Sequence, residues 1–233
     1  MRSPVVSDIR DGVVDVFPPV FAMIPFALIM GSQAAAKGLS PAEVLAMSTI
    51  VFAGASQFLA VSLWSSPAPA LTLALAAFLI NLRHVLMGAS IAHKIEHFGA
   101  WRYPAVHFMT DEVWAVAERR ALRRPITPAY WFGAGIFLFS AWQLFTVLGA
   151  VVGSFVKEPE RYGLDFAFPA IFIALALGFW QGWRTAPVIA ASALVAVVVH
   201  LLVPGAWYVL AGALAGCAVA IVTAKPTEEA AAA

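Results

Sequence analysis

The chain has 233 residues, 62% of them apolar and only 12% charged, where an average soluble domain carries about 25% charged residues. With a mean hydropathy of +0.86 it is excluded from the ordinary soluble globular class. A net charge of +1 with the charges gathered in loops gives no basic face for nucleic acid. The lone Cys217 leaves no intrachain disulfide and no Cys-based zinc site.

Residues 1–16 form a polar N-terminal segment of mixed sign (Arg2, Asp8, Arg10, Asp11, Asp15). It lacks the basic-then-apolar layout of a signal peptide. Apolar stretches of about 17–25 residues then mark helices long enough to cross a bilayer. They fall at Phe17–Ala36, Ala42–Trp64, Ala68–Ile91, Ala129–Phe155, Phe166–Trp183, Ala186–Val203 and Ala206–Thr223. Short Pro-containing joints separate several of them, which predicts antiparallel neighbours. Trp64, Trp101, Trp131, Trp183 and Trp207 lie near predicted ends, where interface anchors belong. The predicted fold is therefore all-α: a multi-pass integral membrane bundle of about seven transmembrane helices over residues 17–223, followed by a disordered tail at 224–233.

Tyr103–Glu118 is short, with Asp111 and Glu112 near its centre and basic residues on both flanks. Residues 93–128 are accordingly predicted as a largely cytoplasmic loop with an interfacial or re-entrant segment. Seven spans counted from there put the N-terminus outside; if the segment crosses, the count is eight and the N-terminus is inside. A faint repeat pairs Asp15–Pro19 with Asp165–Pro169, and Pro41 with Pro187, suggesting two three-helix halves; a Pro near a helix start is also simply well tolerated there.

Four groups of residues could carry chemistry. Gly54, Ser56 and Gln57 fall near the middle of the second span, where small polar residues either break a helix to expose backbone groups or let helices pack closely. Pro25 interrupts the first span at similar depth. Arg83, in Asn81-Leu82-Arg83-His84, is a charge inside an apolar run and a functional candidate for that reason. It can pair with Asp111 or Glu112, bind a substrate carboxylate, or reach an interface; His84 beside it can titrate near neutrality or serve as a hydrogen-bonded structural residue. Asp111 and Glu112 can carry protons if desolvated, or act as the acidic first turn of a helix. Gln143, Gln181 and His200 are isolated polar residues in spans, and Gly149–Gly153 and Gly212–Gly216 have small-residue packing spacing. His93 and His97 stand four apart without a recognised third ligand, so no metal or cofactor is expected. Neither a phosphate-binding loop nor a familiar hydrolase motif is present, which argues against ATP hydrolysis by this chain and against an enzyme.

The run Phe52-Ala53-Gly54-Ala55-Ser56-Gln57-Phe58, the run Asn81-Leu82-Arg83-His84 with Met87-Gly88, and Thr110-Asp111-Glu112 resemble the AzlC-type branched-chain amino-acid exporters. The opening Pro18…Pro25-Phe26-Ala27…Gly31 with Gly38-Leu39-Ser40 is similar to the start of that family. The likeness covers roughly residues 12–155. It implies a multi-pass inner-membrane secondary transporter exporting Val, Leu or Ile, acting with a small AzlD-type membrane protein. On that reading Pro25, Gly54, Ser56, Gln57, Asn81 and Arg83 are candidate substrate-binding residues. Asp111, Glu112 and His84 are candidates for proton coupling or gating, and Phe52, Phe58 and Met87 could receive an aliphatic tail. A channel or differently energised permease subunit, an intramembrane enzyme and a structural scaffold are the rival readings.

Overall fold

A computed structural model describes residues 4–153, 182–203 and 207–223 together with the single positions 155, 173 and 180. The expected span at Phe166–Trp183, Gln181, the Asp165–Pro169 half of the repeat and the 224–233 tail lie wholly or largely outside these residues. Ten α-helices are described: α1 (Pro4–Ala36), α2 (Pro41–Ile50), α3 (Gly54–Ser62), α4 (Ala70–Asn81), α5 (Arg83–Ile91), α6 (Arg102–His107), α7 (Asp111–Ala121), α8 (Pro128–Gly153), α9 (Ala186–Leu202) and α10 (Trp207–Thr223). The all-α membrane bundle is thus observed. Residues 4–16, expected as a separate polar segment, are the first turns of α1.

Among the described residues, three helical stretches are long and apolar enough to span a bilayer: Val5–Ala36, Ala70–Lys94 and Pro128–Gly153. α1 and α8 run parallel along one another. A Cβ on Gly12 would overlap the backbone of Tyr130, one on Gly31 that of Thr146, and one on Gly149 that of Leu28. Small residues at these places let the two backbones touch, the usual basis of close helix pairing in lipid, where no hydrophobic drive exists between apolar helices. Val16, Ala27, Met30, Ala34, Ala134 and Ala150 complete the buried seam. The outer faces remain apolar, with Phe78, Leu86 and Val152 largely exposed, as lipid contact requires.

Ala42–Trp64 was expected to cross as one helix and does not. The helix stops at Ile50, residues 51–53 are irregular, and α3 starts at Gly54. Ser48 and Gln57 would lie about 13 Å apart along a continuous helix; instead Gln57 Nε2 donates to Ser48 Oγ at 2.8 Å. The segment therefore doubles back. α3 then packs against α4 through Leu59 and Ala76, with Asn81 reaching Ser56 at 3.2 Å, so α3 and α4 are antiparallel. Two arms of ten and nine residues each reach about half the thickness of a hydrocarbon core. Hydropathy sums the arms into one span, which is why the sequence misleads here.

Residues 96–121 form a second hairpin from the opposite end. α6 ascends beside α8, with Phe98 against Trp131, Phe108 under Gly135, and His107 near Phe139. α7 descends: Arg83 meets Asp111, Trp114 Nε1 donates to Ser90, Lys94 pairs with Glu118, and Arg120 reaches Asp8. The basic loop after α7 consequently shares an end with the start of α1. The expectation of an N-terminus outside with residues 93–128 inside fails for that reason, because the second apolar run returns to its own side. Trp131, expected at an interface, is fully buried and donates to the Ala105 carbonyl at 3.0 Å. α9 and α10 form an antiparallel pair, Gly212 and Gly216 packing on Ser192.

Candidate functional site

The two hairpin tips meet at mid-depth, with the Phe52 and His107 rings 6.2 Å apart. Each tip is a three-residue turn followed at once by a helix. The Ala53 amide donates to the Val51 carbonyl at 2.9 Å before α3, and the Thr110 amide to the Phe108 carbonyl at 3.1 Å before α7. Both helix N-termini, with amides that no helical carbonyl satisfies, thereby face the same space. The long helical stretch of α4 and α5 tightens there, through a turn at Leu82 in which the Val85 amide bonds the Leu82 carbonyl at 3.0 Å, with Arg83 the first residue of α5.

The space is a cavity of about 260 Å³. Its polar side is Arg83, His84, Thr110, Asp111 and Glu112, together with the Gly54 helix start. Its apolar side is Met23, Phe26, Phe52, Leu138 and Trp142, with Pro19 and Ala22 of α1. Arg83 Nη1 donates to Asp111 Oδ2 at 2.6 Å, and the two side chains are 36% and 48% accessible. The pair therefore lines the cavity instead of closing it off. Arg83 Nε and Asn81 Oδ1 are buried without a hydrogen-bond partner among the described residues. His84 Nδ1 lies 3.2 Å from the Asn81 carbonyl. Glu112, beside the ion pair, has no cation partner among the described residues, and the Thr110 side chain caps α7 by accepting from the Val113 amide at 3.3 Å.

The sequence candidates separate into two shells. Gly54, Arg83, His84, Asp111 and Glu112 line the cavity. Ser56 and Gln57 do not: they sit behind its wall, each 1% exposed. Both ends of the Gln57 amide are occupied, Nε2 by Ser48 and Oε1 by the Trp142 indole at 2.8 Å, while Ser48 in turn lies 3.5 Å from Thr146. Gln57 thus spends both amide atoms within the core and braces the first hairpin on α8. Asn81 is likewise held to Ser56. Pro25 is exposed on the far side of α1, because Pro19, Ala22, Met23 and Phe26 form the face that lines the cavity and position 25 is turned away from it. Of the suggested tail-binding residues only Phe52 is in the wall; Phe58 and Met87 pack in the core. Trp142 and Phe26 escaped the sequence reading, since an aromatic inside a span carries no signal of its own; the polar Gln143 drew attention to that turn instead. Gln143 is half-buried, and its two amide atoms, both shielded from solvent, have no bond among the described residues.

The AzlC protein family matches residues 18–156, a stretch containing both hairpins and every cavity residue. The chain belongs to the AzlC family. It is a multi-pass protein of the inner membrane with a role in membrane transport. Among its relatives is an uncharacterized membrane protein of Archaeoglobus fulgidus, 33% identical over 89% of this chain and 91% of the other. The inner membrane protein YgaZ of Escherichia coli is 31% identical over 92% and 90%. A protein of Bacillus subtilis named branched-chain amino acid transport protein AzlC is 25% identical over 70% and 65%. No solved structure matches the chain.

Proposed function

We propose that this AzlC-family chain is a secondary transporter that exports branched-chain amino acids (valine, leucine, isoleucine), coupled to protons and working with a small AzlD-type membrane protein. The observation that carries the reading is the composition of the cavity: a helix N-terminus, a carboxylate without a cation and an apolar aromatic wall face one another across a space suited to one small molecule. A zwitterion with an aliphatic tail needs those three surfaces. Its carboxylate would meet the amides at the start of α3, where the helix dipole is positive. Its ammonium would meet Glu112, and its tail Met23, Phe26, Leu138 and Trp142. The name of the Bacillus subtilis relative supports the substrate class.

Arg83 on this reading anchors Asp111 and so fixes the second hairpin tip. Asp111 and Glu112 are the groups able to take up a proton when substrate leaves, and breaking the Arg83–Asp111 pair would free that tip to move. Broken helices at a midplane site are a recurring transporter arrangement. The end that gathers Lys94, Arg102, Arg119, Arg120, Arg123 and Arg124 with the α1 start is assigned to the cytoplasm, by the excess of basic residues there.

The test is efflux of labelled valine from preloaded cells expressing the chain, with and without the small subunit, for wild type and Arg83→Ala. Efflux that needs Arg83 and stops when the proton gradient is collapsed supports the proposal. Efflux equal to empty-vector cells for valine, leucine and isoleucine alike removes the substrate class, and efflux indifferent to the gradient removes the coupling.

A further inference from the structure

At the end of the bundle where α1 begins, a second cavity of about 500 Å³ lies between the first turns of α1 and the end of α7. Five arginines face it (Arg10, Arg119, Arg120, Arg123 and Arg124) against two carboxylates, Asp11 and Asp15. Arg120 is its floor. That side chain is 8% exposed and fully occupied, by Asp8 at 2.6 Å, Asp11 at 3.5 Å, the Pro125 carbonyl at 3.2 Å and the face of the Tyr130 ring at 4.2 Å. The rim is different. Arg119 lies 3.9 Å from Asp15 and Arg124 3.8 Å from Asp11, contacts too long for hydrogen bonds, with side chains 64% and 71% exposed. Arg10 and Arg123 have no ion pair among the described residues. Four guanidinium forks therefore surround one recess with their donors unspent.

We propose that this recess binds the phosphate of an anionic phospholipid headgroup. Depth supports the assignment. The apolar part of α1 begins at Val16 and Phe17, so Arg10 lies about 10 Å beyond it along the helix, and Asp15 lies at the boundary. Phosphate groups of the lipid occupy that layer, just outside the hydrocarbon. Chemistry supports it as well: several planar forks converging on one place match a tetrahedral oxyanion better than a single carboxylate. The exposed Val14 in the lining offers the apolar contact a glycerol backbone would use. A headgroup held there ties the end of α7 to α1, and α7 carries Asp111 and Glu112 at its other end. The site is independent of which solute the central cavity carries.

The test compares the thermal midpoint of the purified full chain in neutral detergent as phosphatidylglycerol, phosphatidylcholine or inorganic phosphate is added. Phosphatidylglycerol is expected to raise it, and phosphatidylcholine, whose phosphate is accompanied by a choline cation that the same arginines repel, to leave it unchanged. Arg119→Gln/Arg123→Gln/Arg124→Gln, which keeps the Arg120 floor, is expected to need about 100-fold more phosphatidylglycerol for the same rise, as basic residues at a membrane surface contribute roughly fivefold each. Arg123→Gln alone breaks no ion pair and should shift the titration about fivefold, which keeps the test valid if the triple variant does not fold. An unchanged titration in Arg123→Gln overturns the proposal, as does equal protection by phosphatidylcholine. Inorganic phosphate giving the full rise by itself overturns the lipid assignment in favour of a soluble phosphate.

Discussion

The two hairpins that meet at the central cavity share a geometry and differ in what holds them. Each enters from its own end of the bundle, turns in three residues through an i to i+2 backbone bond, and leaves as a helix whose N-terminus faces the cavity. The first, α2–α3, is held by neutral groups: Trp142 to Gln57 to Ser48, with Thr146 beyond. The second, α6–α7, is held by charge, through Arg83–Asp111, Lys94–Glu118 and Arg120–Asp8. A neutral network of fully satisfied donors and acceptors has one arrangement and resists change. Ion pairs that border a water-accessible cavity exchange readily with solvent, substrate or protons. On the proposed transport reading, the first hairpin is scaffold and the second is the moving, proton-responsive part.

Substitutions can break that contrast, and the largest effect is expected at the charged tip. Arg83→Ala and Asp111→Asn should each lower valine efflux by about 100-fold, the scale on which misplacing a site group by ~1 Å slows turnover, with membrane abundance near wild type because the pair is partly accessible and costs little stability to lose. Arg83→Lys should do almost as badly, since an ammonium does not replace the guanidinium fork. Normal efflux in Arg83→Lys would show that the pair's geometry is not what matters. At the neutral hairpin, Gln57→Leu leaves the Trp142 N–H unpaired in the core and removes the bond that Ser48 accepts, leaving Ser48 only its 3.5 Å contact with Thr146. It should destabilise the fold by roughly 2–4 kcal/mol and be read as a lower thermal midpoint, with efflux per folded molecule reduced far less than at Arg83. The reverse pattern would make Gln57 a ligand after all.

Gly54→Ala probes the wall between brace and cavity. The new methyl would come within 2.9 Å of Trp142 Cη2, and the indole cannot retreat without stretching its bond to Gln57. A cost of about 1–3 kcal/mol is expected, with a several-fold rise in the substrate concentration for half-maximal transport. Combined with Gln57→Leu the penalty should fall short of the sum, because the loosened indole can then move. Strict additivity in a double-mutant cycle would show that the two positions do not communicate.

What the sequence discloses follows from what each residue has to do locally. Arg83 stood out because a charge in an apolar run needs an explanation, and Gly54 because a small residue at mid-depth either packs or breaks; these residues do line the cavity. Gln57 stood out by the same rule and turned out to face the other way, since polarity reports the need for a partner and not which partner meets it. The parallel pairing of α1 with α8 was hidden, because it depends on whether residues 42–64 cross or turn back, and two apolar arms of a hairpin have the same hydropathy as one span. The sharp turn at Val51–Ala53 carries no proline and follows a run of β-branched residues, so no local signal marks it. The Phe26–Trp142 wall depends on that same long-range pairing.

The smallest effect is also the most discriminating. The α7 start is capped by Thr110, whereas the α3 start has Ala53 in an extended conformation (φ −146°, ψ 90°) with no side-chain cap. Ser is a strong N-cap in that geometry, so Ala53→Ser should stabilise the fold by about 0.5–1 kcal/mol. The same hydroxyl would occupy an amide that the proposed substrate carboxylate uses. A more stable protein that transports valine with several-fold weaker affinity is therefore expected, measured as thermal midpoint and concentration dependence on the same preparation. Thr110→Ala should cost about 1 kcal/mol without weakening valine affinity, because the carboxylate is proposed to bind at the other tip. If Ala53→Ser stabilised the protein and left affinity untouched, the uncapped α3 start would not be the carboxylate site. The neutral hairpin would then be scaffold throughout, and substrate recognition would fall to the charged tip alone.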